Sequence, residues 1–150
     1  MQLTLYTDYA IRTLLYLGTR PDQIVPVSEI SAAYGISAHH LAKVAKMLVR
    51  EGLLEGKRGK EGGLRLASAP ADICLGSLVR ATEEHNLLEC FDPKSSSCPL
   101  TGYCRVERAM HEAREAFFGV LDGYTLSDML ENTPRLVSLL SPSRLTRKKS

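Results

Sequence analysis

Residues 27–66 read VSEISAAYGISAHHLAKVAKMLVREGLLEGKRGKEGGLRL, and this segment carries the clearest structural pattern in the chain. Residues 27–34 have the apolar spacing of a short helix, and Gly35 can end it in the left-handed conformation that C-caps favour. Ser37 can cap a second helix that runs to about Glu51. Its apolar face comprises Leu41, Val44, Ala45, Leu48 and Val49. Two helices joined by such a short turn predict a helix-turn-helix.

The segment that follows predicts a β-hairpin. Residues 53–57 and 64–66 are short and strand-like, and three glycines within residues 58–63 can supply the positive φ angles of a tight turn. A hairpin placed directly after a helix-turn-helix is a wing. We therefore expect a mainly α fold, a winged helix-turn-helix with a long C-terminal helix.

Helical patterns lie on both sides of this segment. Residues 8–19 predict a helix capped by Thr7 or Asp8, and another helix follows Pro70. Residues 105–121 predict a long amphipathic helix, and Thr125 can cap a last short one. The long helix has an apolar stripe formed by Val106, Met110, Ala113, Phe117, Val120 and Leu121. This stripe fits either core packing or a two-fold dimer seam.

Composition excludes several classes of protein. A chain of 150 residues with 44% hydrophobic and 24% charged residues is typical of one soluble globular domain. It has no apolar run of the roughly 18–20 residues that cross a bilayer, and no signal-peptide pattern at its start, so we expect a cytoplasmic protein. The G-x-S-x-G, H-E-x-x-H and Walker motifs are missing from the sequence, which argues against an enzyme.

The basic residues concentrate where the helix-turn-helix and wing are predicted. Residues 37–66 hold seven Lys or Arg against three acidic residues, a modest footprint for a polyanion. The last ten residues hold four Arg or Lys and no acid, and we expect residues 141–150 to be a disordered basic tail. A solvated charged face is the alternative interpretation of the basic residues.

The second helix of the motif is the element that would enter a major groove. Its first turn would reach the bases and its later cations the phosphates, while the wing tip would enter a minor groove. Arg12, on the first predicted helix of the chain, and Ser28, at the start of the first helix of the motif, could contact phosphates. The predicted DNA-binding residues are Arg12, Ser28, Ser37, His39, His40, Lys43, Lys46, Arg50, Arg58 and Lys60.

Three of the four cysteines form a cluster with the spacing Cys-x7-Cys-x5-Cys, at Cys90, Cys98 and Cys104. They lie in a segment rich in Pro, Gly and Ser, which predicts a loop. Spacing alone leaves an iron–sulfur cluster, a zinc site, a thiol switch and buried cysteines open. Cys74 stands apart, and we expect it to be a small buried side chain in a helix.

Four stretches together resemble the NsrR/IscR family of winged-helix iron–sulfur repressors. They are residues 3–12 (LTLYTDYAIR), residues 27–30 (VSEI), residues 58–66 (RGKEGGLRL) and the cysteine triplet. Residues 121–128 (LDGYTLSD) resemble the nitric-oxide-sensing NsrR branch of that family. The similarity covers about residues 1–140. In the IscR branch a histidine lies three residues after the third cysteine, whereas Glu107 occupies that position here, which argues against the IscR branch.

The resemblance implies a homodimer that binds palindromic, A·T-rich operators and represses transcription. It implies an iron–sulfur cluster held by Cys90, Cys98 and Cys104, with Asp8 of the other subunit as the fourth ligand. We favour [4Fe–4S], and [2Fe–2S] is the alternative. Nitric oxide would nitrosylate the cluster and release the operator. We expect residues 1–70 to form the winged helix-turn-helix DNA-binding region, and residues 71–140 to form the cluster loop and dimerisation helices of the same compact domain.

Two other functions fit parts of this pattern. A regulator of the same fold could respond to iron or to general redox state through the same cysteines. A redox protein that merely carries a cluster is the alternative from another class, although the wing and the basic helix argue against it.

Overall fold

The computed structural model describes residues 2–84, 86–92, 94 and 96–141. The chain divides into two compact units, one formed by residues up to Ile73 together with those from Thr125 onward, and one formed by Cys74–Tyr124. No helix in the described part of the chain is long and apolar enough to cross a membrane. The predicted division into residues 1–70 and 71–140 stays a prediction, and the predicted basic tail lies, except for Ser141, outside the described residues.

Helix α1 covers Leu5–Gly18 and begins one turn earlier than predicted. The N-cap is Thr4, whose side-chain oxygen accepts a hydrogen bond from the Thr7 backbone N–H at 3.4 Å. The predicted cap at Thr7 or Asp8 is therefore wrong, because Thr4 already satisfies a donor of the first turn. As a result, Asp8 lies within the first turn of the helix.

The helix-turn-helix is confirmed. It consists of α2, Val27–Tyr34, and α3, Ala38–Arg50, with Gly35 between them at φ 65°. The apolar face of α3 is buried as predicted, except that Val49 is 40% exposed and Met47 is buried. This difference arises because α3 packs against α1, α2 and the wing, which cover more of its circumference than a single stripe.

The wing is confirmed as an antiparallel hairpin of β1, Leu54–Lys57, and β2, Gly63–Leu66. In its register Leu54 pairs with Leu66 and Lys57 with Gly63. Leu64 also exchanges two backbone hydrogen bonds with Val25, of 2.9 and 2.8 Å, which fixes the hairpin to the segment before α2. A Cβ atom on Gly63 would lie 2.5 Å from the Val25 carbonyl oxygen, so this close approach requires glycine.

The first unit is completed by residues after Tyr124. Helix α6, Leu126–Met129, begins with a capping box between Thr125 and Asp128, which confirms the predicted cap. Helix α6 packs against α1 and against a 3₁₀ turn at Pro70–Asp72. Helix α7, Thr133–Leu140, was not predicted, and a proline in its first turn marks its start.

The second unit contains α4, Leu75–Thr82, and the long helix α5, Arg105–Asp122. The two helices pack together, and Phe118 is a buried side chain of α5. Much of the predicted stripe is exposed, since Val106 is 61% and Val120 63% accessible. Core packing therefore does not account for Val106 and Val120, whereas Met110, Phe117 and Leu121 are partly buried.

Candidate functional site

The predicted base-reading surface of α3 is exposed. Ser37 is the N-cap residue of α3. The polar side chains that follow it along the helix are all exposed. The exposed set comprises Ser37, His39, His40, Lys43, Lys46 and Arg50. Ser28 on α2 and the wing residues Arg58 and Lys60 are exposed as well. The first unit thus presents one basic face of α3 and a basic hairpin tip to solvent.

Two of the predicted DNA contacts already have carboxylate partners: Arg50 pairs with the neighbouring Glu51 at 3.1 Å, and Arg12 is engaged within α1. Its Nε donates to Asp8 Oδ1 at 3.0 Å, and its Nη2 lies 2.7 Å from Asp8 Oδ2. Both side chains are 40% exposed. The guanidinium also lies 5.7 Å from the centroid of the Tyr34 ring. The structure therefore brings together Asp8 and Arg12, which the sequence had assigned to different roles.

A series of aromatic and cationic contacts continues from Arg12 through the first unit. The Tyr34 ring meets the Tyr16 ring edge-on, with centroids 6.1 Å apart. Arg20 covers the Tyr16 ring at 3.8 Å, and the Tyr16 hydroxyl donates to Glu29 at 2.8 Å. We call Arg12, Tyr34, Tyr16 and Arg20 the α1–α2 ladder. It starts in the middle of α1, includes the last residue of α2 at Tyr34, and reaches the first turn of α2 through the Tyr16–Glu29 hydrogen bond.

The two ladder tyrosines have strongly shifted ionisation. Burial, together with the hydrogen bond to Glu29, raises the pKa of Tyr16 to about 12. Burial also raises the pKa of Tyr34 to about 12, against the opposing effect of Arg12. Both rings therefore stay neutral at any physiological pH, and the ladder depends on the charges of Arg12 and Arg20.

A second contact links α1 to the basic helix. The Tyr6 hydroxyl, two residues before Asp8, donates to the backbone carbonyl of Lys43 at 3.4 Å. The first turn of α1 thus touches α3 at one of its predicted phosphate contacts.

The three clustered cysteines lie in the second unit, around one loop. Cys90 lies in a 3₁₀ turn at Glu89–Phe91, and Cys104 is the N-cap residue of α5. All three are partly buried. Burial raises the pKa of the Cys90 thiol, and the nearby negative charges of Glu107, Cys98 and Cys104 raise it further. Cys98 and Cys104 are therefore both close enough to Cys90 to influence its ionisation.

Two carboxylates hold this loop in shape. Glu89 accepts hydrogen bonds from the Ser97 backbone N–H at 2.8 Å and its hydroxyl at 2.9 Å, which closes the span between Cys90 and Cys98. These bonds lower the pKa of Glu89. Glu107 accepts from the Gly102 backbone N–H at 2.9 Å and so fixes the turn before Cys104. The carboxylate that replaces the IscR-branch histidine therefore has a structural partner in this chain.

The donor set fits an iron–sulfur cluster. Thiolates are the ligands that such clusters use, and three thiols around one loop can surround a group larger than a single ion. Cys104 at the N-terminal end of α5 lies where the helix dipole favours a negative charge. Within the described ranges, no three His, Cys, Asp or Glu side chains are already arranged around one metal ion.

Cys74 differs from its prediction. It lies at the N-cap of α4 rather than inside the helix, and it is only partly buried. Its sulfur lies 3.8 Å from Asp122 Oδ1, and Asp122 also pairs with Arg80. Because this carboxylate is available as a partner, the thiol does not need a purely apolar environment.

Sequence reasoning missed the residues that shape and connect these sites. Glu89 and Ser97 directly precede the first two cysteines. This matched placement could have indicated that their side chains pair across the loop. Tyr6 and Tyr34 gave no such signal, because a tyrosine at helical spacing is equally typical of a core position.

A helix-turn-helix with a wing and an exposed basic helix defines a winged-helix transcriptional regulator. The chain belongs to the Rrf2 family, described as iron-dependent transcriptional regulators, whose model matches residues 3–132. This result confirms the predicted class of protein and its interpretation as a regulator rather than an enzyme.

Named relatives agree with this assignment. The chain is 49% identical over 146 residues to the HTH-type transcriptional regulator NsrR of Geobacillus kaustophilus, covering 96% of this chain and 99% of the relative. It is 44% identical to the regulator of the same name from Halalkalibacterium halodurans, covering 93% and 97%. A solved structure of T. potens IscR has the same fold, with a TM-score of 0.71 at 22% identity over 88% of each chain.

Proposed function

We propose that the protein is a homodimeric repressor that binds palindromic, A·T-rich operators when it holds an iron–sulfur cluster and releases them on exposure to nitric oxide. The observation that carries this proposal is the grouping of Cys90, Cys98 and Cys104 around one loop of a winged-helix regulator. The resemblance of residues 121–128 to the nitric-oxide-sensing branch, together with relatives that carry the name of that branch, supports the nitric oxide response.

Exposed side chains on α3 and the wing support the DNA-binding half of the proposal. Ser37, His39 and His40 lie at the start of α3, where a recognition helix contacts base edges. Lys43, Lys46 and Arg50 would neutralise phosphates, and Arg58 and Lys60 would enter an adjacent minor groove. Ser28 and, once free of Asp8, Arg12 would contact the backbone.

The exposed stripe of α5 supports the homodimer. Val106, at 61% accessibility, and Val120, at 63%, lie on the same side of the helix as Met110 and Phe117. A second copy related by a two-fold axis would bury both stripes against each other. This arrangement would also set the spacing of two recognition helices for a palindromic site.

Cys90, Cys98 and Cys104 would hold the cluster through their thiolates, and Asp8 of the other subunit would supply a fourth, carboxylate ligand. The bound cluster supplies iron that reacts with nitric oxide. A carboxylate is a harder and weaker ligand than thiolate for that iron. Asp8 would therefore be displaced from the iron more easily than any of the three cysteines.

Coupling to DNA would then pass through α1. Asp8 pairs with Arg12, Arg12 contacts the α1–α2 ladder, and Tyr6 reaches the Lys43 carbonyl. A ligand role for Asp8 would remove its charge from Arg12 and restrain the first turn of α1. Loss of that ligand would change the restraint on α2 and α3. By linkage, DNA would favour the cluster-loaded state to the same extent.

The test begins with protein purified without oxygen. We expect iron and sulfide in the wild type and in Cys74→Ser, and loss of both in Cys90→Ser, Cys98→Ser and Cys104→Ser. Loaded protein should select, from a random-sequence pool, duplexes with A·T-rich half-sites about one helical turn apart, roughly 34 Å. Retention of iron in all three triplet variants would contradict the ligand assignment, and selection of sequences without symmetry would contradict the dimer.

The description of the family as iron-dependent favours a second candidate, a regulator of the same fold that responds to iron supply. A chelator that removes iron would then release the selected duplex without any nitric oxide. Samples with the same cluster content would bind the duplex equally well with and without nitric oxide.

A further inference from the structure

A stack of three side chains connects the cysteine loop to α5. The rings of Phe91 and His111 lie nearly parallel, with an interplanar angle of 16° and centroids 4.0 Å apart. The Arg114 guanidinium lies 5.1 Å from the Phe91 centroid, and its Nη2 lies 3.1 Å from His111 Nδ1. His111 and Arg114 are one helical turn apart, so α5 presents both to one aromatic ring.

The position of Phe91 gives this stack its significance. Phe91 directly follows Cys90 within the 3₁₀ turn at Glu89–Phe91, and its backbone N–H donates to the Leu88 carbonyl at 3.1 Å. A ring fixed against α5 therefore fixes the backbone that carries the Cys90 thiol. Cys104 begins the same helix, one residue before Arg105. The stack thus sets Cys90 relative to Cys104 through a rigid element.

We propose that Phe91, His111 and Arg114 form a clamp that positions Cys90 beside Cys104. The clamp leaves the metal-binding chemistry to the thiols and acts by limiting how far Cys90 can move from the other two. The cluster that Cys90 would hold rests on the function proposed above, whereas the restraint on the Cys90 backbone does not. Loss of the clamp would expose the first thiol and shorten the lifetime of any group bound there.

The first experiment uses the cluster-free, reduced full-length chain, so that it does not depend on the cluster. Iodoacetamide would be added, and the alkylation rate of each cysteine followed by peptide mass spectrometry. We expect Phe91→Leu and His111→Ala to raise the rate at Cys90 by roughly two- to tenfold, the ratio that corresponds to one lost aromatic pair. Phe91→Tyr and His111→Phe keep the ring and should restore the wild-type rate.

The chain supplies two matched controls. Arg108→Ala removes an exposed ion pair on the same helix, in which Arg108 Nε lies 3.0 Å from Glu112 Oε1 away from the apolar stripe, and it should leave Cys90 unchanged. Cys74 serves as an internal standard, since it lies at the start of α4. Equal acceleration of all four cysteines would show general loosening and overturn the proposal, as would an unchanged Cys90 rate in both Phe91→Leu and His111→Ala.

The second experiment uses the oxygen-free, cluster-loaded protein. We expect Phe91→Leu to alter the visible circular dichroism of the cluster and to speed its loss to a chelator, while Phe91→Tyr and Arg108→Ala match the wild type. An unchanged spectrum and an unchanged loss rate in Phe91→Leu would contradict the clamp. A wild type that holds no cluster would contradict the proposed function alone, and the alkylation rates would still decide the clamp.

Discussion

Asp8 and Arg12 meet at two points across one turn of α1, with Oδ1 3.0 Å from Nε and Oδ2 2.7 Å from Nη2. The pair joins the proposed fourth ligand of the cluster to a proposed phosphate contact. It also begins the α1–α2 ladder, because Arg12 lies over Tyr34. If Asp8 exchanged Arg12 for another partner, the contact of Arg12 with Tyr34 in the helix-turn-helix would therefore change as well.

Replacing Asp8 with alanine should weaken operator binding much more than folding. We expect the cluster-loaded variant to bind its selected duplex about 5–150-fold more weakly, the range of typical coupling energies. The free energy of unfolding should change by no more than about 0.5 kcal/mol, because the pair is a partly exposed i,i+4 ion pair. Fluorescence anisotropy and urea denaturation measure the two quantities.

The matched control for this variant is Glu112→Ala. Glu112 forms an i,i+4 pair with Arg108 at 3.0 Å, and it lies away from the apolar stripe of α5. It should have the same small effect on stability and none on DNA binding. Equal loss of binding in Asp8→Ala and Glu112→Ala would remove Asp8 from the account.

Lys43→Ala and Lys46→Ala should weaken binding to all duplexes alike. Each lysine is exposed on α3 and would neutralise one phosphate. The slope of log affinity against log salt should therefore fall by about 0.9 for each lysine removed. Arg135→Ala, an exposed cation on α7, provides the control and should keep the wild-type slope. Unchanged slopes in both lysine variants would place the DNA elsewhere.

Alkaline pH should destabilise the first unit through Tyr16 and Tyr34. Folding raises the pKa of each from about 10 to about 12, so the folded state favours the neutral hydroxyl. Their contribution to stability is fully present below pH 10 and is lost as the pH rises through 12. Urea denaturation between pH 9 and pH 11 should reveal a loss approaching about 1.4 kcal/mol per pH unit for each tyrosine.

Tyr16→Phe separates this effect from the titration of lysines. The variant lacks one ionisable hydroxyl and the bond to Glu29, so it should be less stable at pH 9 and lose less stability on going to pH 11. A wild type and a Tyr16→Phe variant with equal pH slopes would show that the Tyr16 hydroxyl is not protected in the folded state.

Gly63→Ala should loosen the wing from the rest of the first unit. The new methyl group would meet the Val25 carbonyl oxygen at 2.5 Å and the carbonyl carbon at 2.6 Å, which are backbone atoms that cannot rotate away. We expect a loss of about 1–3 kcal/mol in unfolding free energy, as for overpacking elsewhere. Gly119→Ala on α5, where the methyl group meets nothing within 4 Å, should instead gain up to about 1 kcal/mol. Thermal unfolding measures both effects, and we expect the melting temperature to fall in Gly63→Ala and to rise in Gly119→Ala.

The sequence predicted the elements whose signals are local. Gly35 and, in the wing, Gly59 have positive φ angles of 65° and 104° that few other residues adopt, and the apolar spacing of α5 spans five turns. The start of α1 was misplaced because Thr4, Thr7 and Asp8 are all acceptable caps, and only the fold decides between them. Helix α7 was missed because the proline in its first turn is as typical of a loop as of a helix start.

The site was predictable where chemistry alone identifies a residue, as for the cysteine triplet and the cations of α3. The contacts that connect these residues were not predictable. Tyr6 reaches Lys43 across 37 positions, and Phe91 reaches His111 across 20, so each depends on how helices pack. The pairing of Asp8 with Arg12 was within reach, since i,i+4 acid–base spacing is visible in the sequence.

The most direct test of the proposed function is a nitric oxide titration of the oxygen-free protein bound to its selected duplex, with anisotropy and the visible spectrum recorded together. We expect the duplex to be released in proportion to the loss of the cluster spectrum, and we expect Cys104→Ser to bind weakly from the start and not to respond. A protein that keeps its duplex after its cluster spectrum has been lost, or that binds equally well in the Cys104→Ser variant, would contradict cluster-dependent repression.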